Sequence, residues 1–169
     1  HSHKKARIII GKDTRMSSDM LESALAAGLC SVGADVELLG VVPTPAVAYL
    51  VGAYGADAGV MISASHNPVE FNGIKIFNGQ GFKLPDAIEA EIEDHIDHPE
   101  KLTLKTGTEI GKVHVSTTAV EDYVAHILST VEERAAAGLK VAIDCANGSA
   151  SATARKLFTA LGASCTIIN

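Results

Sequence analysis

The sequence predicts an α/β fold of three layers, α/β/α, in which helices cover both faces of a mostly parallel, mixed sheet. Short runs rich in β-branched residues alternate with segments of helical periodicity, and the links between them are short. Two polar turns follow predicted strands directly, at the edge of a parallel sheet where ligands usually bind. The same alternation begins again near the end of the chain, which predicts the start of a second, similar α/β domain.

The strands are predicted from apolar, often β-branched runs that are bounded by glycine, proline and small polar residues. In the first part of the chain these runs form a β-α-β-α-β series, which a fourth strand follows after a polar loop. The predicted strands cover residues 7–10, 35–39, 60–62 and 74–77.

Two helices separate the first three strands, and their ends are predicted from capping residues. Ser17 or Ser18 is expected to cap the first helix, and Gly33 is expected to end it. Thr44 is expected to cap the second helix, with Pro45 in its first turn, where the missing N–H of proline costs nothing.

Downstream, an acidic helix is followed by a polar extended stretch, a longer helix that Thr117 or Thr118 would cap, and a β-α-β unit. The first strand of that unit is expected to be buried. The turn after it carries Gly148 but matches no nucleotide-binding loop, so its role is expected to be mainly structural. The predicted elements are helices 85–96 and 119–137, strand 139–144, a helix to about residue 161, and strand 163–168.

The loop between the third and fourth strands concentrates the polar chemistry of the chain. It carries the hydroxyls of Ser63 and Ser65, the imidazole of His66, the amide of Asn67 and, at the start of the returning strand, the amine of Lys75. Turn-forming Asn-Pro and Asn-Gly pairs let the chain double back, which could bring the amine near the hydroxyls. A hydroxyl surrounded by donors suits phosphoryl transfer, which depends on positioning and charge neutralisation; an ordinary polar hairpin tip is the alternative.

Three stretches together resemble the α-D-phosphohexomutases, which move a phosphate between the 1- and 6-positions of a sugar. They are G-K-D-T-R at 11–15, V-V-P-T-P-A-V-A-Y-L at 41–50, and I-S-A-S-H-N-P-V-E-F-N-G-I-K-I-F at 62–77. The last is similar to the phosphoserine loop of that superfamily, and within it these stretches look most like those of the bacterial phosphoglucosamine mutases. The resemblance extends over nearly the whole chain.

The resemblance implies a role for each matching residue. Ser65 would carry the phosphoryl group, donate it to one sugar hydroxyl and take it back from the other position of a bisphosphate intermediate. His66 and Lys75 would be its catalytic neighbours, and Asn67 would lie beside them. Arg15 would support the loop from the first turn, and Ser63 would bind substrate or support the loop in the same way.

The resemblance also implies a cofactor, an activator and a reaction. Mg²⁺ would bind the Ser65 phosphate, which is the one metal ligand that this chain would provide, and a sugar 1,6-bisphosphate would serve as activator. The reaction would interconvert glucosamine 6-phosphate and glucosamine 1-phosphate, feeding UDP-N-acetylglucosamine and cell-wall synthesis. The runner-up substrates are those of phosphoglucomutases and phosphomannomutases.

From the resemblance, the chain is expected to contain most of the first domain of the family and only the start of the second. Residues 1–116 would form the first domain without its N-terminal segment, and residues 117–169 a linker helix and the opening β-α-β unit of the second. Residues 1–3 are left out of the predicted fold. The D-G-D-G-D-type metal loop and the sugar- and phosphate-binding loops of later domains do not occur, so this chain alone is expected to be inactive.

A serine hydrolase and a non-catalytic binding module are the alternatives to a mutase. A serine hydrolase would need Ser65 in a G-x-S-x-G turn, but Ala64 and His66 flank it, and an adjacent histidine cannot easily act as its base. A non-catalytic phosphosugar-binding module would keep the loop without turnover. A metal site at His95 and His98 would lack further ligands, because Pro99 follows and no other set is apparent.

The composition of the chain limits its expected binding partners and its expected cellular compartment. The chain has 169 residues, of which 47% are hydrophobic, and a net charge of −6, which argues against a nucleic-acid surface. No apolar run reaches the roughly 20 residues that cross a bilayer, and the three cysteines lack metal or redox spacing. A cytoplasmic protein that binds a small phosphosugar is expected, with a homodimer left open.

Overall fold

The computed structural model describes residues 4–169; residues 1–3, which the predicted fold leaves out, lie outside it. The elements alternate as predicted in the first part of the chain. The strands are β1 (Arg7–Lys12), β2 (Asp35–Val41), β3 (Ala58–Ile62), β4 (Ile74–Asn78), β5 (Val113–Val115), β6 (Lys140–Asp144) and β7 (Ser164–Ile168). The helices are α1 (Ser17–Ser31), α2 (Thr44–Ala53), α3 (Asp86–Asp97), α4 (Ala119–Ser129) and α5 (Ala154–Ala160).

The main sheet has five strands in the order β4-β3-β1-β2-β5. Strand β1 pairs in parallel with β2 and β3, and β2 pairs in parallel with β5. Strand β4 runs antiparallel to β3, because the polar loop between them returns the chain along the same edge. The prediction of a mostly parallel, mixed sheet is therefore confirmed.

Helices cover both faces of this sheet, as the three-layer prediction requires. Adjacent residues of the central strand point to opposite faces. Ile9 belongs to the core beneath α2, where Leu50 is fully buried, and Ile10 belongs to the core beneath α1. Each such isoleucine contributes about 2 kcal/mol by burial, so β1 anchors both halves of the fold.

Helix α4 packs against α2 and so extends the layer on that face of the main sheet. Ala119 is buried in the core beneath α2. The imidazole of His126 stacks on the ring of Tyr49 with 3.6 Å between ring centroids, and the hydroxyl of Tyr54 donates a hydrogen bond of 2.6 Å to Asp122. The predicted linker helix therefore makes specific contacts with the first unit.

Strands β6 and β7 form a separate two-stranded parallel sheet, with α5 between them in sequence. The prediction that the first of these strands is buried is wrong. Its residues alternate between exposed and half-buried, and those of β7 do the same. A two-stranded sheet that one short helix covers leaves its other face open to solvent.

The helix ends differ from several predictions. Neither α1 nor α2 has a side-chain cap, because Ser18 donates its hydrogen bond to Asp13 and because α2 already begins at Thr44. Helix α4 ends at Ser129 rather than near residue 137, and the hydroxyl of Thr130 donates to a carbonyl of its last turn. The prediction that Gly33 ends α1 is confirmed by its left-handed φ of +97°.

No helix within residues 4–169 is long and apolar enough to cross a membrane.

Candidate active site

The turn after β1 and the loop after β3 meet at the carboxyl edge of the main sheet. The strands are in register there, with Lys12 opposite Ile62. One residue further on, the main-chain N–H of Asp13 donates a hydrogen bond of 3.0 Å to the carbonyl of Ile62. The two polar segments of the sequence are therefore neighbours because their strands are neighbours.

Asp13 lies beneath this edge with only 7% of its surface exposed. One carboxylate oxygen accepts hydrogen bonds from the main-chain N–H of Arg15 at 3.0 Å and from the hydroxyl of Ser18 at 2.8 Å, and the other accepts from Nε of Arg15 at 2.9 Å. Burial alone would raise the pKa of Asp13, but the hydrogen bonds from Arg15, Ser18 and the Ser63 hydroxyl lower it. The carboxylate is therefore ionised at neutral pH.

The guanidinium of Arg15 holds the loop after β3 through its main-chain carbonyls. Nη1 donates to the carbonyls of Pro68 at 2.8 Å and Phe71 at 3.1 Å. Nη2 donates to those of Ser65 at 3.1 Å and Asn67 at 2.9 Å. The planar fork can satisfy these carbonyls together, which a lysine could not do.

Ser63 and Ser65 occupy different environments although they are two residues apart. Ser63 is buried at 7% exposure, and its hydroxyl oxygen accepts the main-chain N–H of Ser65 at 3.1 Å. The side chain of Ser65 is exposed, and its φ of +57° is left-handed. Such a φ costs about 1 kcal/mol or more for a residue other than glycine, so the surrounding contacts must hold it.

The base of the loop is closed by Gly73 and Lys75. The main-chain N–H of Ser63 donates to the carbonyl of Gly73 at 2.8 Å, and a Cβ at Gly73 would lie 2.8 Å from the carbonyl oxygen of Ser63. The amine of Lys75 donates to the same Ser63 carbonyl at 3.2 Å. Lys75 therefore contacts the loop main chain beneath Ser65.

A cavity of about 770 Å³ opens above the loop. Its first wall contains five of the six predicted site residues, namely Arg15, Ser63, Ser65, His66 and Asn67. Lys75 does not line it. The opposite wall is the turn after β6, residues 145–150, and the hydroxyl of Thr14 joins the two walls through a hydrogen bond to the carbonyl of Asn147.

Residues 145–150 were missed as cavity residues by the sequence analysis, which treated their turn as mainly structural. The available signal was the position of the turn directly after a parallel strand, the same signal that pointed to the first two segments. No residue type in the turn indicates a binding site. The carboxylate of Asp144, directly before the turn, accepts only the local N–H of Ala146 among the described hydrogen bonds. Its part in the cavity follows from tertiary structure.

A comparison with known sequence families identifies the fold of the first unit. The profile described as phosphoglucomutase/phosphomannomutase, alpha/beta/alpha domain I, matches residues 1–103, which include the turn after β1 and the whole loop after β3. The chain belongs to this family. The α/β/α architecture in that description is the one the first unit adopts.

Family members with curated names are similar over nearly the whole chain. A phosphoglucosamine mutase of Acetivibrio thermocellus is 56% identical over 164 residues, which are 96% of this chain and 36% of that protein. One from Clostridium beijerinckii is 54% identical over 166 residues, 98% of this chain and 37% of that protein. The chain thus spans little more than a third of the length of these relatives.

A solved structure shows the same fold. The crystal structure of a phosphoglucomutase/phosphomannomutase family protein from Burkholderia thailandensis superposes with a TM-score of 0.77 at 27% identity. The superposition covers 96% of this chain and 35% of that one. At this coverage the superposition extends beyond residues 1–103, which the family profile matches.

The metal that the phosphohexomutase resemblance implies has no complete site in the described residues. Within residues 4–169 no group of three or more His, Cys, Asp or Glu side chains could hold an ion, and His95 and His98 therefore gain no further ligands. The Asp13 carboxylate beneath the loop already accepts hydrogen bonds from Arg15 and Ser18.

Proposed function

We propose that the full-length protein containing this chain is a phosphoglucosamine mutase that interconverts glucosamine 6-phosphate and glucosamine 1-phosphate through a phosphoserine at Ser65. One structural observation carries the proposal. The side chain of Ser65 is exposed at the wall of the cavity, while the main-chain N–H and carbonyl of the same residue are held by the buried Ser63 hydroxyl and by Arg15. The names of the relatives support the amino-sugar substrate.

The chemistry assigned to Ser65 is a reversible exchange of one phosphoryl group. The phosphorylated side chain gives its phosphoryl to the free hydroxyl of a sugar monophosphate, which yields a sugar bisphosphate and a free serine hydroxyl. The sugar hydroxyl loses its proton as the new P–O bond forms, and the serine oxygen gains a proton as its bond to phosphorus breaks. The bisphosphate then turns round and returns its other phosphoryl to Ser65, so a sugar 1,6-bisphosphate serves as activator.

The neighbouring residues divide between positioning and contact with the substrate. Arg15 uses its guanidinium for four loop carbonyls and Asp13, so it acts on the loop rather than on the phosphate. His66 and Asn67 are exposed at the cavity and are proposed to donate hydrogen bonds to phosphate or sugar oxygens. Lys75 is proposed to contribute positive charge or to handle the proton, from a position at the loop base.

Mg²⁺ belongs to this proposal as a cofactor bound to the Ser65 phosphate. The ion would withdraw charge from the phosphoryl group during transfer. The described residues offer no metal site of their own, so the remaining ligands are proposed to come from parts of the protein outside this chain.

A second substrate class has support in the family description. The matching profile names phosphoglucomutase and phosphomannomutase. The phosphoserine chemistry is the same for both classes. Turnover of glucose or mannose phosphates in preference to glucosamine phosphates would favour this second candidate.

The proposal is tested by assaying the full-length protein with glucosamine 1-phosphate, Mg²⁺ and a sugar bisphosphate. The Ser65→Ala variant is expected to lose turnover completely while keeping its unfolding midpoint, because an exposed loop hydroxyl adds little to stability. Ser23→Ala is the matched control, since Ser23 is an exposed serine of α1 remote from the loop. Substantial turnover by Ser65→Ala would overturn the assignment.

A further inference from the structure

The main chain of Ser65 is held through two residues that both contact Asp13. Its N–H donates to the Ser63 hydroxyl at 3.1 Å, and its carbonyl accepts from Nη2 of Arg15 at 3.1 Å. Arg15 in turn donates Nε to Asp13 at 2.9 Å, and the nearby Ser63 hydroxyl helps to lower the pKa of the same carboxylate. A hydroxyl can donate and accept at once, so Ser63 can serve both partners.

These contacts hold Ser65 in an unfavourable backbone conformation. The left-handed φ of Ser65 is unfavourable for a residue with a Cβ, and the loop from Ser65 to Asn72 is exposed, although Ala64 before it is buried. A flexible loop would relax from such a conformation. The contacts that oppose relaxation come from beneath the loop, where Asp13 and Ser63 are each only 7% exposed.

We propose that Asp13 is a positioning residue for the phosphoryl-accepting serine, acting through Arg15 and Ser63 on the two main-chain polar atoms of Ser65. The inference rests on the proposed function for its catalytic consequence, but its structural part concerns this chain alone. Asp13 does not touch the substrate. Its carboxylate fixes where the Ser65 hydroxyl stands when the phosphoryl group arrives, and a small misplacement there is costly in rate.

The carboxylate is required in its ionised form because every group around it is a donor. Both oxygens accept, one from the main chain of Arg15 and from Ser18, the other from the Arg15 guanidinium. Asparagine has the same size but offers one oxygen and one NH₂ group. Asp13→Asn would therefore turn a donor toward Arg15 or Ser18 without creating a cavity.

Ser18→Ala is the matched control for this substitution. The Ser18 hydroxyl donates to Asp13 at 2.8 Å and is almost completely buried, but it lies in α1 and has no hydrogen bond to the loop among those described. Removing it loses a hydrogen bond to the same carboxylate and leaves the path through Arg15 and Ser63 intact. The two variants thus share a loss of stability but differ in their effect on Ser65.

The first measurement is the single-turnover transfer of phosphate from a sugar 1,6-bisphosphate to Ser65 in the full-length protein, followed by intact mass. Asp13→Asn is expected to reach the full amplitude with a rate constant lowered at least about tenfold, and Ser18→Ala is expected to keep the wild-type rate constant. An unchanged rate constant in Asp13→Asn, or a loss of amplitude alone, would overturn the proposal.

The second measurement is amide hydrogen exchange at Ser65 in this chain, which needs no enzymatic activity. Exchange is expected to become at least about tenfold faster in Asp13→Asn and to stay near wild type in Ser18→Ala. Equal protection in all three proteins would contradict the positioning role. If Asp13→Asn does not fold, Ser63→Ala carries both measurements, with slower transfer and faster Ser65 exchange expected and wild-type values contradicting the proposal.

The two measurements separate this inference from the proposed function. Failure of the wild-type protein to place phosphate on Ser65 would refute the mutase function and leave the exchange experiment to decide the positioning role. Phosphate transfer at the wild-type rate in every variant would refute the positioning role and leave the function standing.

Discussion

Asp13 and Asp144 stand at equivalent places in two units of the chain and have different roles. Each lies where a parallel strand ends, and each accepts the main-chain N–H of the residue two positions on, Arg15 at 3.0 Å and Ala146 at 2.8 Å. Asp13 is buried and also holds the Arg15 guanidinium and Ser18, whereas Asp144 is exposed. The same local turn holds further side chains only where the surrounding structure buries its aspartate.

The surrounding sheets explain the difference. Strand β1 is central in a five-stranded sheet with helices on both faces, so the turn that follows it is covered by α1 and by the loop after β3. Strand β6 belongs to a two-stranded sheet with alternate residues exposed. The Asp144 carboxylate at the end of β6 is exposed to water, where one local hydrogen bond adds little to the free energy of unfolding.

Replacing each aspartate with alanine should give the largest contrast between the two turns. Asp13→Ala leaves Arg15 and the buried Ser18 hydroxyl without their acceptor and is expected to lower the free energy of unfolding by about 3 kcal/mol or more. Asp144→Ala is expected to lower it by less than about 1 kcal/mol. Denaturant titration measures both values. Equal losses would mean that burial does not distinguish the turns.

A glycine in each region provides the second contrast. The Cβ added by Gly73→Ala would lie 2.8 Å from the carbonyl oxygen of Ser63 and 3.3 Å from Cα of Ala64, so the loop base must shift. We expect a loss of about 2 kcal/mol. The Cβ added by Gly148→Ala meets only the Cys145 carbonyl at 3.2 Å, and a small loss is expected. Thermal unfolding of both variants checks the order, and a larger loss at Gly148 would reverse it.

An arginine-to-lysine pair sharpens the comparison further. Arg15→Lys loses the fork that joins Asp13 to four loop carbonyls and is expected to cost about 2 kcal/mol. Arg155→Lys changes an exposed residue of α5 and should alter stability by less than about 0.5 kcal/mol. Denaturant titration again decides, with proteolysis of the loop as a local readout. A stable, protected loop in Arg15→Lys would show that the fork is dispensable.

The smallest expected effect is on the pH dependence of stability. Hydrogen bonds from Arg15, Ser18 and Ser63 outweigh burial and lower the pKa of Asp13 in the folded protein below its unfolded value of about 3.9. As pH falls, the unfolded state therefore takes up this proton first, and the stabilisation is lost as pH drops through the folded pKa. Between about pH 5 and pH 3, the free energy of unfolding should fall less steeply in Asp13→Asn than in the wild type. Parallel slopes would contradict the pKa assignment.

Much of the main fold could be predicted from sequence because local patterns and tertiary structure agree there. The apolar runs of β1, β2 and β3 and the helix-ending Gly33 all carry a strong local signal. The second unit was less predictable. Strand β6 has the apolar pattern of a buried strand, but its burial depends on how many strands join it, and sequence pattern does not report that number.

In the candidate site too, residues with a local sequence signal could be predicted and those that depend on tertiary structure could not. The loop residues Ser63, Ser65, His66 and Asn67 could be singled out because hydroxyl, imidazole and amide groups follow a buried strand, and the structure places them on one cavity wall. Their roles in catalysis remain predictions. The part of Asp13 was not foreseen, because it depends on burial of the carboxylate, on Ser18 five residues further on, and on the contacts that Arg15 makes with another segment. Ser18 is one of two predicted caps of α1, but its hydroxyl is buried and donates a hydrogen bond to Asp13 instead.

The most direct test of this account is the site of phosphate on the full-length protein isolated from cells, before and after incubation with a sugar 1,6-bisphosphate. Peptide-mass analysis is expected to find one added phosphate on Ser65 and none on the buried Ser63. A folded protein in which Ser65 stays unmodified under both conditions would contradict the account and would favour a phosphosugar-binding role without transfer.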